Sequence, residues 1–449
     1  MIKEKKNFVD YLFWLCIIFY LDPGGYIVNN FNIRIVKIVF IALIWISFLY
    51  VTNFKGIAIS LRNITIKKVN KVILLWLLYF FIVFLFFQDN YTQMSFLSKV
   101  LKTRLVWSSW LLFLPIYYFL TYRGAFLFIK LFITTSFLLA LLFLVSYFTD
   151  IDLIYSYSFS RGYADVNRVM LYGFGLIELC LPLLIVCFIL PPNLFFTWKN
   201  KLIYSSLGVY LIYFLSLTRR YFLYIIMSVG IGYFFSKFIF RSNRKFQLKI
   251  IFITIVLTFI MIIFFSNYVE GIIGGFKTFD IVNDGSYGTT KQRFSLISHK
   301  PTVAIIKENI LFGSGYINEW YTNVGENKYG LEGADYVFLS TIGMFGFVGI
   351  FIFFPFYWYL VRTILKGLKF VKNNRKFIIT NSQQIWEPLI IFLTTSMFFI
   401  RHVLTYPNWF SFIGPHGAFE RFIIFAAMVY GSLTNLQIRI SSITSKNYK

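Results

Sequence analysis

Runs of about twenty mainly apolar residues, each long enough to cross a bilayer as a helix, recur along the chain with short polar stretches between them. Twelve can be counted, at about 9–27, 33–51, 72–88, 105–121, 125–148, 169–190, 202–217, 221–240, 248–266, 335–360, 388–406 and 417–435. Backbone in hydrocarbon has to satisfy its own N–H and C=O groups, so each run is expected as a helix. The predicted fold class is an all-α polytopic integral membrane protein with about 12 transmembrane helices.

Lys and Arg concentrate in alternate connections: Lys55, Arg62, Lys67, Lys68 and Lys71; Lys199 and Lys201; Lys237, Arg241, Arg244, Lys245 and Lys249; and Arg362, Lys366, Lys369, Lys372, Arg375 and Lys376. Cationic loops stay in the cytoplasm, so these connections are assigned inside and both chain ends with them. The same alternation places the one long polar stretch, 267–334, outside, and a stretch of that length is more than a linker. The chain therefore divides into 1–266 with helices 1–9, 267–334 as a large extracytoplasmic loop, and 335–449 with helices 10–12. Within the loop, Phe294, Ile297, Val303, Ile306 and Ile310 recur at broadly helical spacing, with Pro301 to kink the segment and Gly313 to close it. That pattern predicts a helix lying along the membrane surface.

Composition sharpens this reading. With 58% apolar and 14% charged residues in 449, the chain cannot present a water-facing surface of soluble domains. The net charge of +25 follows from the cytoplasmic connections, so nucleic acid is not an expected partner. Cys16, Cys180 and Cys187 all fall inside predicted spans, which excludes a disulfide framework or thiolate metal site by spacing. The basic start, Met1 to Lys6, precedes an apolar run without a small-residue cleavage site and is expected as an uncleaved first span. No internal repeat is visible, which argues against an inverted-repeat transporter.

Arg219 and Arg220 interrupt the alternation. They sit in a very short outer connection, Ser216 to Tyr221, with no acidic neighbour. Snorkelling to lipid phosphates would account for them; so would a bidentate grip on a pyrophosphate, for which a planar five-donor fork is suited. Arg161 and Arg168 lie in the outer loop Thr149 to Arg168, where either substrate contact or local pairing with Asp165 fits. Lys291, Arg293, Lys300 and Lys307 follow one another along the surface helix, as a solvated basic face also would. Asp150 and Asp152 form a D-x-D pattern but lack the further oxygen ligands a hard cation wants, so no metal and no cofactor is expected. Glu332 and Asp335 stand where the loop re-enters the membrane. Partial desolvation there suits a carboxylate base, while Asp335 can equally cap the next helix. His299, His402 and His416 are scattered; His402, beside Arg401, is the one nearest the outer end of a span.

These residues resemble the O-antigen ligase and Wzy-type polymerase superfamily of bacterial membrane glycosyltransferases. The likeness covers the layout of most of the chain: about a dozen spans, a large late outer loop, an Arg at the outer end of a mid-chain span (Arg219) and another heading a helix in that loop (Arg293). Arg219 also precedes Gly230 with ten residues between, similar to an Arg-x10-Gly spacing of the polymerases. The stretch Arg293 to Gly315, ending Glu-Asn-Ile-Leu-Phe-Gly-Ser-Gly, resembles the family's Arg-Phe, apolar helix, Pro-Leu-Phe-Gly-x-Gly segment, with Asn309 for the usual Pro. The re-entry stretch Glu332 to Gly343 resembles His-Asn-x-x-Leu followed by Gly, with Glu332 where a ligase has histidine.

The resemblance implies polymerisation of undecaprenyl-pyrophosphate-linked repeat units into a surface polysaccharide, O-antigen or capsule, at the outer face of the bacterial plasma membrane. Glu332, Arg219 and Arg293 would be catalytic, Arg220, Arg161, Arg168, Asp335 and His402 would bind substrate, and membrane lipid and a chain-length regulator protein would be partners. Arg219 would be the inward member of its pair, on the strength of Gly230 and the family position. A lipid-linked oligosaccharide flippase and a ligase that moves finished polymer to an acceptor are the alternatives.

Overall fold

The computed structural model describes residues 8–21, 33–87, 95–97, 100, 107–149, 156–160, 167–171, 174–190, 198–215, 219–241, 307, 309–313, 323–324, 327–328, 337–405 and 418–447. These are helical apart from turns and two small antiparallel hairpins. In order they are α1 (Phe8–Tyr20), α2 (Ile33–Thr52), α3 (Gly56–Leu61), α4 (Ile64–Tyr79, continued by a wide turn Phe80–Phe87), α5 (Trp107–Arg123) and α6 (Phe126–Thr149). The hairpin β1 (Ser156–Ser160) and β2 (Asn167–Leu171) follows. Next come α7 (Phe174–Ile189), α8 (Lys199–Leu215), α9 (Arg219–Phe234), the short pair β3 (Asn323–Val324) and β4 (Asn327–Lys328), α10 (Val337–Asn373), α11 (Arg375–Thr380), α12 (Ser382–Thr405) and α13 (Ala418–Asn447).

Three stretches among the described residues are long and apolar enough to cross a membrane: Phe345–Asn373, Ser382–Leu404 and Phe422–Ser445. α5 and the first part of α6 pass the same test together but turn by 110° at Gly124, whose φ of 85° favours glycine. Shorter apolar helices cover Phe8–Tyr20, Val36–Thr52, Glu178–Ile189 and Tyr224–Ile239. The run expected at 248–266 and the surface helix expected over Thr290 to Ile310, beyond Lys307 and the turn at 309–310, lie outside the described residues.

α13 occupies the centre, with every residue from Phe422 to Leu433 buried, as expected of a helix that is apolar all round. α12 packs along it, and α5 closes on it at Gly431, where a Cβ would stand 2.8 Å from that of Leu120 and 3.0 Å from the carbonyl oxygen of Tyr117. Asn435 then donates to the carbonyls of Leu120 (2.6 Å) and Thr121 (3.0 Å). Rings fill the space between α4, α5, α10, α12 and α13. Trp110 lies 5.5 Å from Phe353, Phe356 5.6 Å from Phe422, and Phe422 5.2 Å from Phe399. The three cysteines are buried and reduced.

Ion pairs gather at one end of this bundle. Arg123 at the end of α5 bonds Asp10 in the first turn of α1 (2.8 Å), and Arg439 late in α13 bonds Glu387 early in α12 (3.0 Å) and the carbonyl of Gln384 (2.7 Å). A Cβ on Gly124 would stand 3.3 Å from Nη2 of Arg439, so the two pairs are neighbours. Four helix ends thus meet where the charge alternation puts the cytoplasm.

Helix ends differ from the hydrophobic boundaries in instructive ways. The third run was expected to begin at about residue 72, yet its helix starts at Ile64 because Asn63 caps it, accepting from the N–H groups of Thr65 (3.0 Å) and Ile66 (3.4 Å). Lys67, Lys68 and Lys71 therefore sit on the helix and not in a loop. The tenth run was expected to end at about 360, but α10 continues to Asn373 and carries Arg362, Lys366, Lys369 and Lys372 on exposed positions. Lys and Arg are good helix formers, so composition ends the apolar run before geometry ends the helix. The sixth run was expected from 169; residues 167–171 are strand and the helix starts at Phe174.

Reporter fusions after Asn243, Asp284 and Asn373 test the alternation directly. The first and last are expected to report the cytoplasm and the fusion at Asp284 the outside. A cytoplasmic signal at Asp284 would invert the loop and every site built on it.

Candidate functional site

Helices α7, α9 and α12 pack on one another. Gly232 on α9 marks their crossing, since a Cβ there would meet Cγ2 of Ile185 at 2.6 Å, Cγ2 of Ile189 at 3.3 Å and Cε of Met397 at 3.9 Å. From this level α9 runs back toward its start, so that Tyr224, eight residues earlier, lies about 12 Å up at 1.5 Å per residue. Arg401, one turn beyond Met397, lies against that tyrosine, its guanidinium carbon 4.4 Å from the ring centre. The two helices are therefore antiparallel. On α7, Cys180 lies by Ser136 in the middle of α6 while Cys187 lies by Lys199 near the start of α8. Its beginning thus points to the same end as the beginning of α9, and places Glu178 in its second turn there.

Five ionisable residues consequently share one end of three mainly apolar helices: Glu178 on α7, Arg219 and Arg220 opening α9, and Arg401 and His402 in the last two turns of α12. This end is opposite the Asp10–Arg123 and Glu387–Arg439 pairs. Arg401 is only 1% exposed; the Phe398 ring also lies against its guanidinium, at 5.4 Å. His402 is half-buried, with its ring 5.7 Å from that of Phe398. Ionisable groups in apolar spans are costly and mark functional positions. Reading the runs for embedded charge would have singled out Glu178 and Arg401, neither of which the sequence analysis selected as a site residue.

Helical register separates the two adjacent arginines. Tyr224, Ser228, Ile231 and Phe235 are buried, whereas Ile226, Gly230 and Tyr233 are exposed. Arg220 stands four residues before Tyr224 and eleven before Ile231, in the buried stripe. Arg219 stands seven residues before Ile226 and eleven before Gly230, in the exposed one. The Arg-x10-Gly spacing accordingly joins two positions in line along α9, and a Cβ on Gly230 would meet nothing within 4 Å.

A second feature joins two stretches that carry the family resemblance. α10 is broken at Gly346, where φ is 63° and ψ −180°. Residues 309–313 fill the break: the N–H groups of Phe347 and Val348 donate to the carbonyls of Ile310 and Leu311, both at 3.0 Å. The segment turns on itself through Gly313 N–H to Asn309 carbonyl (2.7 Å). The Tyr79 hydroxyl, at the end of α4, fastens both sides by donating to the carbonyls of Phe312 (3.0 Å) and Phe345. Gly349 makes room for the tyrosine, as a Cβ there would lie 2.9 Å from its ring. The Asn-Ile-Leu-Phe-Gly part of the long loop, which precedes Glu332 in the sequence by nineteen to twenty-three residues, is thereby anchored to the head of a membrane-length helix.

Of the other expected site residues, Arg168 lies on β2 opposite Phe159. Arg161, Arg293, Glu332 and Asp335 lie outside the described residues, as do Asp150, Asp152, His299 and His416. Among the described residues no three His, Cys, Asp or Glu side chains gather as metal ligands. The chain matches no model of a known family, no curated protein and no solved structure.

Proposed function

We propose that the protein is a membrane glycosyltransferase that joins undecaprenyl-pyrophosphate-linked oligosaccharide repeats into a surface polysaccharide on the outer face of the plasma membrane. The observation that carries this reading is the convergence of Arg219, Arg220, Arg401 and His402, with the single carboxylate Glu178, at one end of three packed helices. A departing pyrophosphate needs fixed positive charge near the membrane surface, and guanidinium groups supply it without a metal. A hydroxyl of the incoming repeat attacks the anomeric carbon of the growing chain, the C–O bond to pyrophosphate breaks, and Glu332 takes the hydroxyl proton. The tie between the segment 309–313 and α10 fixes one stretch of the outer connection to a long apolar helix, a positioning of the kind a group-transfer enzyme uses. A flippase would want charge along a path through the bilayer, whereas the ionisable residues of α7, α9 and α12 named above stand near helix ends.

Gene deletion with sizing of surface glycan tests the reading. Loss of the polymerase is expected to leave single repeats on the surface. Repeats trapped on the cytoplasmic side would assign the protein to transport, and full-length polymer that never reaches its acceptor would assign it to ligation.

A further inference from the structure

We propose that the cytoplasmic ends of α9 and α10 form a binding site for an anionic phospholipid of the inner leaflet, its phosphate held by lysines and arginines and its chains laid along exposed aromatic rings. α9 ends in a wide turn, Phe235–Ile239, that packs against α10. Arg375, opening α11 just after α10, donates to the carbonyl of Phe240 (3.5 Å) and so ties the two ends together. Four more cations stand within one helical turn of that bond along the chain, Lys237 and Arg241 on one side and Lys372 and Lys376 on the other, and all are exposed. No acidic residue occurs on α9, α10 or α11, and Glu387 on the following helix is engaged by Arg439. Helix dipoles account for a cation at each C-terminus, but two features go beyond that. Arg241 adopts φ 48°, where a helix end normally carries Gly or Asn, so backbone geometry does not select an arginine there. Beside it Tyr233, Phe234 and Phe238 are 42%, 47% and 49% exposed, with the Phe234 and Phe238 rings 4.6 Å apart and the Lys237 ammonium 5.7 Å from the Tyr233 ring centre. Rings next to cations at a membrane surface match a lipid, whose chains take apolar contact and whose phosphate takes the charge. An acidic protein would need the charge alone. The inference is independent of the polymerisation reading, since it uses the far end of α9 from Arg219 and Arg220 and needs only the charge alternation that places this end inside.

The test uses the purified full chain in an uncharged detergent, titrated with phosphatidylglycerol or with phosphatidylcholine, with bound lipid read by native mass spectrometry and by thermal shift. The wild type is expected to bind phosphatidylglycerol in preference. Each Lys or Arg near a membrane surface is worth about fivefold toward an anionic lipid, so Lys237→Gln, Lys372→Gln and Lys376→Gln together are expected to weaken binding by at least about tenfold. The control removes the same charge elsewhere on the same face, with Lys67→Gln, Lys68→Gln and Lys71→Gln on α4, and is expected to bind as the wild type does. Phe234→Ser with Phe238→Ser keeps every cation and is also expected to lose affinity; it serves as the second variant should the first triple fail to insert. Equal loss in the two lysine triples would reduce the cations to a diffuse belt and overturn the proposal. Equal affinity of the wild type for the two lipids would overturn it as well. So would displacement of bound phosphatidylglycerol by soluble polyglutamate together with undiminished affinity in the phenylalanine pair, which would assign this corner to an acidic protein.

Discussion

Gly346→Ala is expected to release the loop segment 309–313 from α10 and to remove most long polymer at matched membrane expression. Two effects act together. The backbone conformation at φ 63°, ψ −180° belongs to a region occupied almost only by glycine, and a Cβ would stand 2.3 Å from the carbonyl oxygen of Leu311 and 2.5 Å from the N of Gly313. Both contacts are backbone, so no side chain can swing aside. The conformational term alone is about 1–3 kcal/mol, which shifts an open-to-docked balance by about 5- to 150-fold; steric contact adds to it. Limited proteolysis of the purified protein should therefore cut within 267–334 faster by at least the lower figure. Gly349→Ala provides the control, because the atoms in its way are the Phe345 Cβ and the Tyr79 ring, both at 2.9 Å, and its φ is ordinary. Its effect should be smaller. Proteolysis and glycan ladders that do not change in Gly346→Ala would show that the docked segment plays no part in holding the loop.

That junction also shows where sequence reading reached and where it stopped. The apolar runs identified helices because hydrocarbon leaves the backbone no other partner, and their lengths located α2, α5 and α6 to within about two residues. Ends were less legible where a cap or a run of charged helix formers governs the terminus, as at Asn63 and over Arg362 to Lys372. The stretches Asn309 to Gly313 and Gly343 to Gly346 stood out separately by resemblance. Their meeting did not, since a carbonyl-to-amide contact across more than thirty residues leaves no periodicity, and Tyr79, more than two hundred residues away, gives no sign of being its bolt. Arg401 was passed over for the opposite reason: it stands in a recognisable run, but the rings that hold it come from two helices far apart in sequence.

Arg220→Lys is expected to shorten the polymer to single or few repeats, while Arg219→Lys leaves chain length nearly unchanged. The sequence alone points the other way, by selecting Arg219 from its spacing to Gly230. The fold supplies the reason for the reversal. α9 begins at Arg219, so both arginines belong to one helix and diverge by about 100°. Counted back by helical register, Arg220 falls in line with the buried Tyr224 and Ile231, and Arg219 with the exposed Ile226 and Gly230. A residue on the exposed stripe at the membrane surface meets lipid phosphates, where lysine serves as well as arginine. One in line with Tyr224, whose ring lies against Arg401 of α12, is the one for which, on the proposed function, replacement by a point ammonium would forfeit bidentate contact with pyrophosphate. Glycan ladders from the two variants at equal membrane abundance decide between them. Greater sensitivity at Arg219 would mean that the register of α9 from Tyr224 onward does not carry back to its first turn, or that lipid-facing charge itself gathers the substrate. A Gly230→Leu variant separates these: filling an open groove should be silent if Arg219 acts only at the lipid surface, and damaging if the exposed stripe is where a second element docks.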